Sequence, residues 1–335
     1  MKTAIIFNQP KPDRYDEMGE GIAIGSVLEE VNPVCRALRK LGHSTIKVPL
    51  SPPLEQVKNT IKALEADLVF NLFEGFDGVP ETEAAVANIL EELGIPFTGN
   101  PPPALSLALD KARAKQILQS GGVRTPRYQV LCPDNVYLFG LKFPCIIKPA
   151  REDASHGLSE ESVVNDFEQL ERQVYRVSKA FRGDALVEEF LEGREFNVTV
   201  IGNGQPIVLP IAEMVYYLPP DLPKLLTFAA KWYKETPYYK GTKARCPAQI
   251  SDETIESISH TAATAFTLIG CCGYARVDMR MDDEGIPNVL EVNPNPDITP
   301  GYGVARQARE AGMIYDQFIE QILIMAFENQ PCLQT

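Results

Sequence analysis

The sequence predicts an α/β fold whose second, strand-rich part is of the α+β kind. Two observations lead to this prediction. Up to residue 98, β-rich runs alternate with helical stretches, and such β-α-β-α-β alternation is typical of a parallel sheet with helices on both faces. From about residue 143 onward predicted strands dominate, with few helices between them. A length of 335 residues suits two or three modules of ordinary size.

The first hundred residues contain four predicted strands and three predicted helices. Asn32-Pro33 offers an N-cap followed by a proline at the first helical position, and Gly42 ends that helix. The other elements are strands 3–7, 45–49, 67–71 and 95–98, and helices 54–65 and 81–93. The first strand is followed by FNQP and not by a Gly-x-Gly-x-x-Gly motif, so dinucleotide binding is not expected.

A proline-rich run, Asn100 to Pro103, predicts a boundary after the first module. Helical sequence then continues to Ser120, where Gly121-Gly122 ends it. Segment 216–245 has no clear periodicity, and we expect a long functional loop there. The remaining elements are strands 143–148, 185–191, 195–202, 207–212, 273–281 and 287–293, and helices 252–269 and 314–328. The predicted domains are 1–100, 101–183 and 184–330.

Composition and charge exclude several classes of partner. There are 45 acidic and 32 basic residues, for a formal net charge of -13. Nucleic acids and anionic membranes are therefore not expected as partners, because binding them needs clustered Lys and Arg. The sequence lacks an apolar run of membrane-spanning length, and its seven cysteines lack metal-ligand spacing. A cytoplasmic location is predicted.

The strongest local signal is GYARVDMRMDDEGIPNVLEVNPNPD, residues 273–297. Two strands flank the turn signal DDEG, which predicts an antiparallel hairpin. Pairing Met281 with Ile286 places Arg276 opposite Glu291. Because side chains alternate between the two faces, four polar residues fall on one face. These are Arg276, Asp278, Glu291 and Asn293. The other face would carry Ala275, Val277, Met279, Met281, Ile286, Leu290 and Val292.

The polar face of this hairpin has the chemistry of a metal site. Asp278, Glu291 and Asn293 supply hard oxygen ligands, which suit Mg²⁺ (or Mn²⁺) with nucleotide phosphates completing the coordination. The alternative is an ordinary solvated face with salt bridges.

The hairpin sequences ARVDMRM and LEVNPNPDITPG resemble those of ATP-grasp ligases, and of D-alanine–D-alanine ligases in particular. Four more segments occur in that family's order and spacing, so that the resemblance extends from about residue 67 to 315. They are VFNLFEGFDG, LGIPFTGNPPPALSLALDKARAK, FPCIIKPAREDASHG and ALVEEFLEGREFNVTVIG. The resemblance implies a Rossmann-like N-terminal βαβ domain followed by a two-subdomain ATP-grasp fold.

The resemblance also implies roles for individual residues toward ATP. Lys111 and Lys148 would neutralise the α- and β-phosphates, and Lys231 would reach the γ-phosphate, with Lys234, Lys240 and Lys243 as alternatives. Loop 151–159 would close over the triphosphate. The other implied contacts are Ser155 and Gly157 in that loop, Glu188, Glu189 and Leu191 at the adenine, and Glu195 at the ribose. Arg276 would stabilise the reacting acyl phosphate.

The amino-acid half of the family site is not retained. Ala154 stands where the family has serine, and Trp232 where it has tyrosine. Tyr302 and Gly303 replace a serine–leucine pair, and Glu74 replaces a histidine. The resemblance therefore implies ATP use without implying D-alanine.

Together these features predict an ATP-dependent carboxylate–amine ligase that forms an amide through an acyl phosphate and releases ADP and phosphate. Its substrates would be a small amino acid or other carboxylate and an amine, and a homodimer is expected from the family. Two alternatives stay open. One is a genuine D-alanine–D-alanine ligase of cell-wall synthesis. The other is a non-catalytic ATP-binding or regulatory protein, which the presence of Arg276 disfavours.

Overall fold

A computed structural model describes residues 1–10, 27–76, 79–152 and 157–328 of the chain. The first part is a three-stranded parallel sheet in the order β2-β1-β3, with helices packed on it. Its elements are β1 (Lys2–Asn8), α1 (Val27–Lys40), β2 (Ser44–Leu50), α2 (Leu54–Lys62), β3 (Leu68–Leu72) and α3 (Glu81–Glu92). This confirms the predicted parallel α/β beginning.

Two predictions in this part are wrong. Helix α1 does not begin at Asn32-Pro33, because Pro33 lies inside it. The apolar stripe of Val27, Val31 and Leu38 packs into the core and outweighs the local cost of an interior proline, about 3 kcal/mol. The predicted strand 95–98 forms only one parallel bridge, between Phe97 and Val69. Pro96 has no N–H to donate to a ladder.

The helical stretch after the first sheet is two helices and not one. They are α4 (Pro102–Leu109) and α5 (Lys111–Ser120). Asp110 separates them and caps α5, since its side chain accepts a hydrogen bond of 3.1 Å from the Arg113 amide. Because of this break, Lys111 becomes the first residue of a new helix.

The second sheet has four antiparallel strands in the order β4-β7-β5-β6, with one long helix packed on it. Its elements are β4 (Tyr128–Leu131), β5 (Cys145–Pro149), β6 (Val163–Val164), α6 (Phe167–Phe181) and β7 (Ala185–Glu189). Strand β4 and helix α6 were not predicted, although Asp166 is an N-cap in front of α6. The domain boundary at 183/184 stays a prediction; β7, which follows it, pairs with β4 and β5.

The third sheet has six antiparallel strands, with β11-β10-β8-β12-β13 in order and β9 beside β8. Its strands are β8 (Glu195–Gly202), β9 (Ile207–Val208), β10 (Ala212–Tyr216), β11 (Thr242–Arg245), β12 (Gly273–Met281) and β13 (Pro287–Asn293). The predicted single strand 207–212 is therefore two strands, separated at Pro210, which cannot donate to a ladder.

Five helices accompany the third sheet: α7 (Phe228–Trp232), α8 (Pro237–Gly241), α9 (Asp252–Ile269), α10 (Gly303–Glu310) and α11 (Tyr315–Glu328). Helix α9 packs on the sheet, whereas α10 and α11 belong to the apolar cluster that also contains the first sheet and helix α1. Segment 216–245 is thus not structureless, because α7, α8 and β11 lie in it. The side chains of Thr227 and Thr236 cap the two short helices.

Candidate active site

A cleft between the second and third sheets opens into a larger cavity beside the first sheet. The larger cavity has a volume of about 560 Å³, within the usual range for small-molecule sites. Six residues line both spaces: Lys111, Glu152, Leu226, Lys231, Arg276 and Glu291. The two spaces therefore meet at a junction lined by three cations.

A buried charge cluster joins the two sheets across the cleft. Glu188 of β7 is fully buried and forms ion pairs of 2.5 Å with Lys115 Nζ and 2.6 Å with Lys148 Nζ. Burial by itself raises the pKa of Glu188, but the two lysines outweigh it and lower the pKa to about 2. Lys148 is itself buried, although a lysine at the end of a strand is usually exposed.

Lys115 was missed by the sequence analysis. It lies one helical turn after Lys111 in α5 and donates to the Leu290 carbonyl at 2.9 Å as well as contacting Glu188. Burial lowers its pKa, against the attraction of Glu188. The helix periodicity could have indicated it. Residues i and i+4 lie on the same helix face, so Lys115 shares a face with Lys111.

A second buried acid, Glu195 of β8, lines the same cleft from the third sheet. Tyr216 donates a hydrogen bond of 2.7 Å to Glu195 Oε2, and Arg280 Nη2 lies 3.5 Å from the same oxygen. Burial raises the pKa of Glu195 despite the nearby arginine. Arg280 was not singled out from the sequence. It is held by the Gly193 carbonyl at 3.1 Å and stacks over the Phe190 ring.

The end of β7 and the segment that follows it are held by two backbone amides. The Glu189 amide donates to the Arg127 carbonyl and the Phe190 amide to the Pro144 carbonyl, both at 2.9 Å. In the described part of the chain, no backbone carbonyl accepts from the Leu191 amide. Leu191 and Glu189 both line the cleft.

The predicted hairpin is formed by β12 and β13, but its predicted register is wrong. Met281 pairs with Pro287, and Asp278 lies opposite Glu291 with Arg276 opposite Asn293. A β-bulge after Asp278 shifts the ladder, which a count along the sequence cannot see. The bulge leaves Leu290 outside the pairing and lining the cleft, while Val289 packs in the core. Arg276, Asp278, Glu291 and Asn293 still share a face, as predicted.

Asp278 accepts four side-chain hydrogen bonds. Arg276 binds both of its oxygens at 2.8 Å, in the bidentate geometry that makes such pairs strong. Asn197 Nδ2 donates at 2.6 Å and Asn293 Nδ2 at 3.0 Å. Asn197, on the neighbouring strand β8, was not identified from the sequence. Despite its burial, Arg276 has a raised pKa, because Asp278 stabilises its charge.

Glu291 lies among cations. Burial opposes its ionisation, but Lys111, Lys148, Arg276 and Lys231 together lower its pKa. Among the described residues, no group of three His, Cys, Asp or Glu side chains is arranged to hold a metal ion. The oxygen donors at this point are two carboxylates directly opposite each other and the Asn293 amide.

The structure describes only part of loop 151–159. Lys111 Nζ donates to the Glu152 carbonyl at the start of the loop. Gly157 has a left-handed φ of 74°, and a Cβ there would lie 2.6 Å from the Phe181 ring, so a side chain would fit poorly. Ser155 and Ala154 lie outside the described residues.

The predicted substrate residues line the larger cavity. Glu74, Trp232, Tyr302 and Gly303 all do so. Trp232 Nε1 is buried without a hydrogen-bond partner in the described part of the chain. Lys231, on α7 beside it, lines both spaces, whereas Lys234, Lys240 and Lys243 are exposed.

Comparison with known proteins shows the family. The sequence profile of the family D-ala D-ala ligase C-terminus matches residues 128–324. The chain is 31% identical to a protein of Sinorhizobium fredii called y4sG, with 96% of this chain and 92% of that protein covered. It is also 31% identical to a D-alanine–D-alanine ligase of Cupriavidus pinatubonensis, over 82% of this chain and 80% of that one.

The fold is shared with a solved structure, the D-alanine–D-alanine ligase of Bacillus anthracis complexed with ATP. The TM-score is 0.74 at 21% identity, and 98% of each chain is covered. The chain therefore belongs to the D-alanine–D-alanine ligase family of ATP-grasp enzymes. It is an ATP-dependent carboxylate–amine ligase. Within the described residues, no helix is both long and apolar enough to span a lipid bilayer.

Proposed function

We propose that the chain uses MgATP to activate the carboxylate of a small amino acid and joins it to an amine, in a pocket that disfavours a pair of D-alanines. The observation that carries the proposal is the junction of the two spaces. Lys111, Lys231 and Arg276 lie where a nucleotide in the cleft would meet a substrate in the larger cavity. Phosphoryl transfer depends on cations at such a junction, because charge spreads over the phosphoryl oxygens in the transition state.

In this proposal the cleft holds the nucleotide. Lys148 and Lys111 neutralise the α- and β-phosphates, and Lys231 contacts the γ-phosphate. Glu188, the Glu189 carbonyl and the Leu191 amide bind the adenine edge, and Glu195 binds the ribose hydroxyls. Ser155 and Gly157 belong to the loop over the triphosphate.

Asp278, Glu291 and Asn293 would hold Mg²⁺. The donor set fits, because Mg²⁺ in such sites takes one or two carboxylates and completes its octahedron with phosphate and water oxygens. Two carboxylates directly opposite on a hairpin also repel each other, so a cation between them is favoured. The ion would supply neutralisation of the phosphate charge and alignment of its oxygens.

The reaction has two steps. A substrate carboxylate oxygen bonds to the γ-phosphorus while the bond to the departing ADP oxygen breaks, giving an acyl phosphate. The amine nitrogen, as the free base, then bonds to the carbonyl carbon, phosphate leaves, and the surplus proton passes to solvent. Arg276 stabilises the negative charge that develops on the acyl oxygens in both steps. No protein nucleophile is needed.

The residues at the substrate positions implied by the family resemblance argue against D-alanine. Trp232 offers an N–H donor where a phenol could also accept, and Ala154 offers neither. Tyr302 is bulky and Gly303 has no side chain, so neither replaces the serine hydroxyl for a second carboxylate. Leaving substrate charges unpaired in a closed site costs on the order of 1–3 kcal/mol for each group.

The test is ADP release from MgATP with a panel of amino acids of both enantiomers and with amines, followed by product masses. We expect release that depends on both a carboxylate and an amine, with D-alanine several powers of ten less efficient than the best pair. Efficient formation of D-alanyl-D-alanine would establish the alternative of a genuine D-alanine–D-alanine ligase. ATP binding without substrate-dependent ADP release would overturn the catalytic proposal. Homodimer formation and a cytoplasmic location stay predictions.

A further inference from the structure

The end of the larger cavity beside helix α1 contains a buried glutamate, Glu30. It lies on the helix face that also buries Val27, Val31 and Val34, and only 6% of its surface is exposed. Glu30 nevertheless lines the cavity. A charged residue at a core position facing an internal space is unusual, because acids are rarely buried without a partner.

Glu30 lacks a cationic partner in the described part of the chain. Its one hydrogen bond there is from the Ile298 amide to Oε1, at 2.8 Å, so its other oxygen is left for a ligand. Burial raises its pKa well above the usual range, and the nearby carboxylates of Asp297 and Glu74 raise it further. A cation bound beside Glu30 would lower this pKa and so offset the effects of burial and of the two carboxylates.

Other hydrogen-bond acceptors line the same cavity. Asn8 Oδ1 is buried and has no hydrogen-bond partner among the described residues. Asp297 accepts from the Thr299 amide at 2.7 Å and lines the cavity as well. Arg306, a cation on the cavity wall, donates to the Gly301 carbonyl and is not among the groups that act on Glu30.

The cavity is therefore polarised. The junction side has three cations, Lys111, Lys231 and Arg276, beside the carboxylates of Glu152 and Glu291, so cations outnumber acids there and attract a carboxylate or phosphoryl group. The side beside α1 has Glu30, Asn8 and Asp297, which match a group with several N–H donors and a positive charge. A neutral side chain of equal length would leave the Glu30 carboxyl without a cationic partner and would gain nothing from this arrangement.

We propose, building on the ligase function above, that one substrate is a basic amino acid of the lysine, ornithine or arginine class, whose side-chain cation binds Glu30. Its carboxylate or α-amino group then lies toward the junction. This gives Glu30 a role in specificity: it selects the charge of the substrate and does not take part in the two chemical steps.

The test compares charged and neutral side chains of similar shape by calorimetry. L- and D-lysine are titrated against norleucine, and arginine against citrulline, with the full chain saturated by MgADP. We expect the cationic member to bind roughly 10- to 100-fold more tightly, the ratio that a hydrogen bond to a charged group gives. Glu30→Gln should remove the preference while keeping the acceptor for the Ile298 amide. Glu29→Gln, an exposed neighbour on the same helix, is the matched control and should keep it.

Equal binding of norleucine and lysine, absence of lysine binding, or an unchanged preference in Glu30→Gln would each overturn the inference. These readouts do not depend on turnover. Failure of ADP release with every substrate, with the lysine preference intact, would count against the ligase proposal alone. Ligation of neutral amino acids without any preference for cations would count against this inference alone.

Discussion

Two buried glutamates face the two halves of the site, and their surroundings are opposite. Glu188, in the cleft proposed to hold the nucleotide, lies between Lys115 and Lys148, and its pKa is lowered to about 2. Glu30, in the larger cavity, has no cationic contact among the described residues, and its pKa is raised well above the usual range. Glu188 has cationic partners before any ligand arrives, whereas Glu30 has none among the described residues and would gain one only from a ligand.

In the proposals above, the paired glutamate supports nucleotide binding and the unpaired one selects the substrate. The buried cluster of Glu188 with Lys115 and Lys148 fixes the position of Lys148 and links helix α5 to two sheets, at the free-energy cost of burying three charges. An unbalanced buried acid reduces the stability of the ligand-free protein, but its interaction with a cationic ligand is correspondingly favourable. The following experiments test whether the two glutamates differ in this way.

The largest effect is expected from removing a partner of Glu188. Lys115→Met leaves a fully buried carboxylate with one cation, and breaking a buried pair typically costs about 3–5 kcal/mol of unfolding free energy. Denaturant unfolding measures this. Lys58→Met is the matched control, since Lys58 contacts Glu92 at 2.8 Å on the surface, and it should change stability little. A similar loss in both variants would show that burial does not distinguish the two pairs.

The next effect concerns catalysis. Glu291→Gln keeps the shape of the side chain but removes a negative ligand from the proposed metal site, so ADP formation should fall by about 100- to 1000-fold while the thermal unfolding midpoint changes little. Glu284→Gln, in the exposed turn of the same hairpin, is the control and should retain full activity. Activity of Glu291→Gln close to that of the wild type would rule out Glu291 as a ligand of a required metal.

Lowering the pH should reduce the free energy of unfolding, because Glu188 becomes protonated. Because its folded pKa of about 2 is below the ordinary value of 4.5, its stabilisation is fully present above about pH 4.5 and is lost as the pH falls toward 2. The loss amounts to an upper limit on the order of 3 kcal/mol. Unfolding free energies measured between pH 7 and pH 3 should fall more steeply in the wild type than in Glu188→Gln. Parallel curves for the two proteins would contradict the lowered pKa.

Glu30 should show the opposite sign and the smallest effect. Its raised pKa means that the folded state holds its proton longer than the unfolded state, so stability decreases as the pH rises above about 4.5. Glu30→Gln removes this penalty, and the ligand-free variant should be more stable than the wild type at pH 7 to 8, by about 1–3 kcal/mol. The acidic groups that act on Glu30 are Asp297 and Glu74, and Tyr315 and Tyr274 are also near it. A variant less stable than the wild type at that pH would show that the carboxylate has a partner.

The parallel first sheet and the shared face of the four polar hairpin residues could both be predicted from the sequence alone. Both follow from short-range periodicity: apolar residues alternate along strands and recur every three to four residues along helices. Arg276, Asp278, Glu291 and Asn293 stayed on one face although the register was wrong, because a shift of two residues preserves alternation. The resemblance to family motifs predicted the class of reaction, because those motifs contain the residues that line the cleft.

Which buried charges form ion pairs could not be predicted from the sequence, because it depends on how the elements pack in three dimensions. Lys115 and Glu188 are 73 positions apart in the sequence, and their contact exists because α5 and β7 meet at the cleft. The bulge that turns Leu290 toward the cleft likewise depends on how β13 packs against its neighbours. Glu30 was visible as an acid among buried positions of α1, but its lack of a cation follows from what the other elements place around it. The pKa of a buried group depends on the charges within a few ångströms, and distance along the chain does not give distance in space.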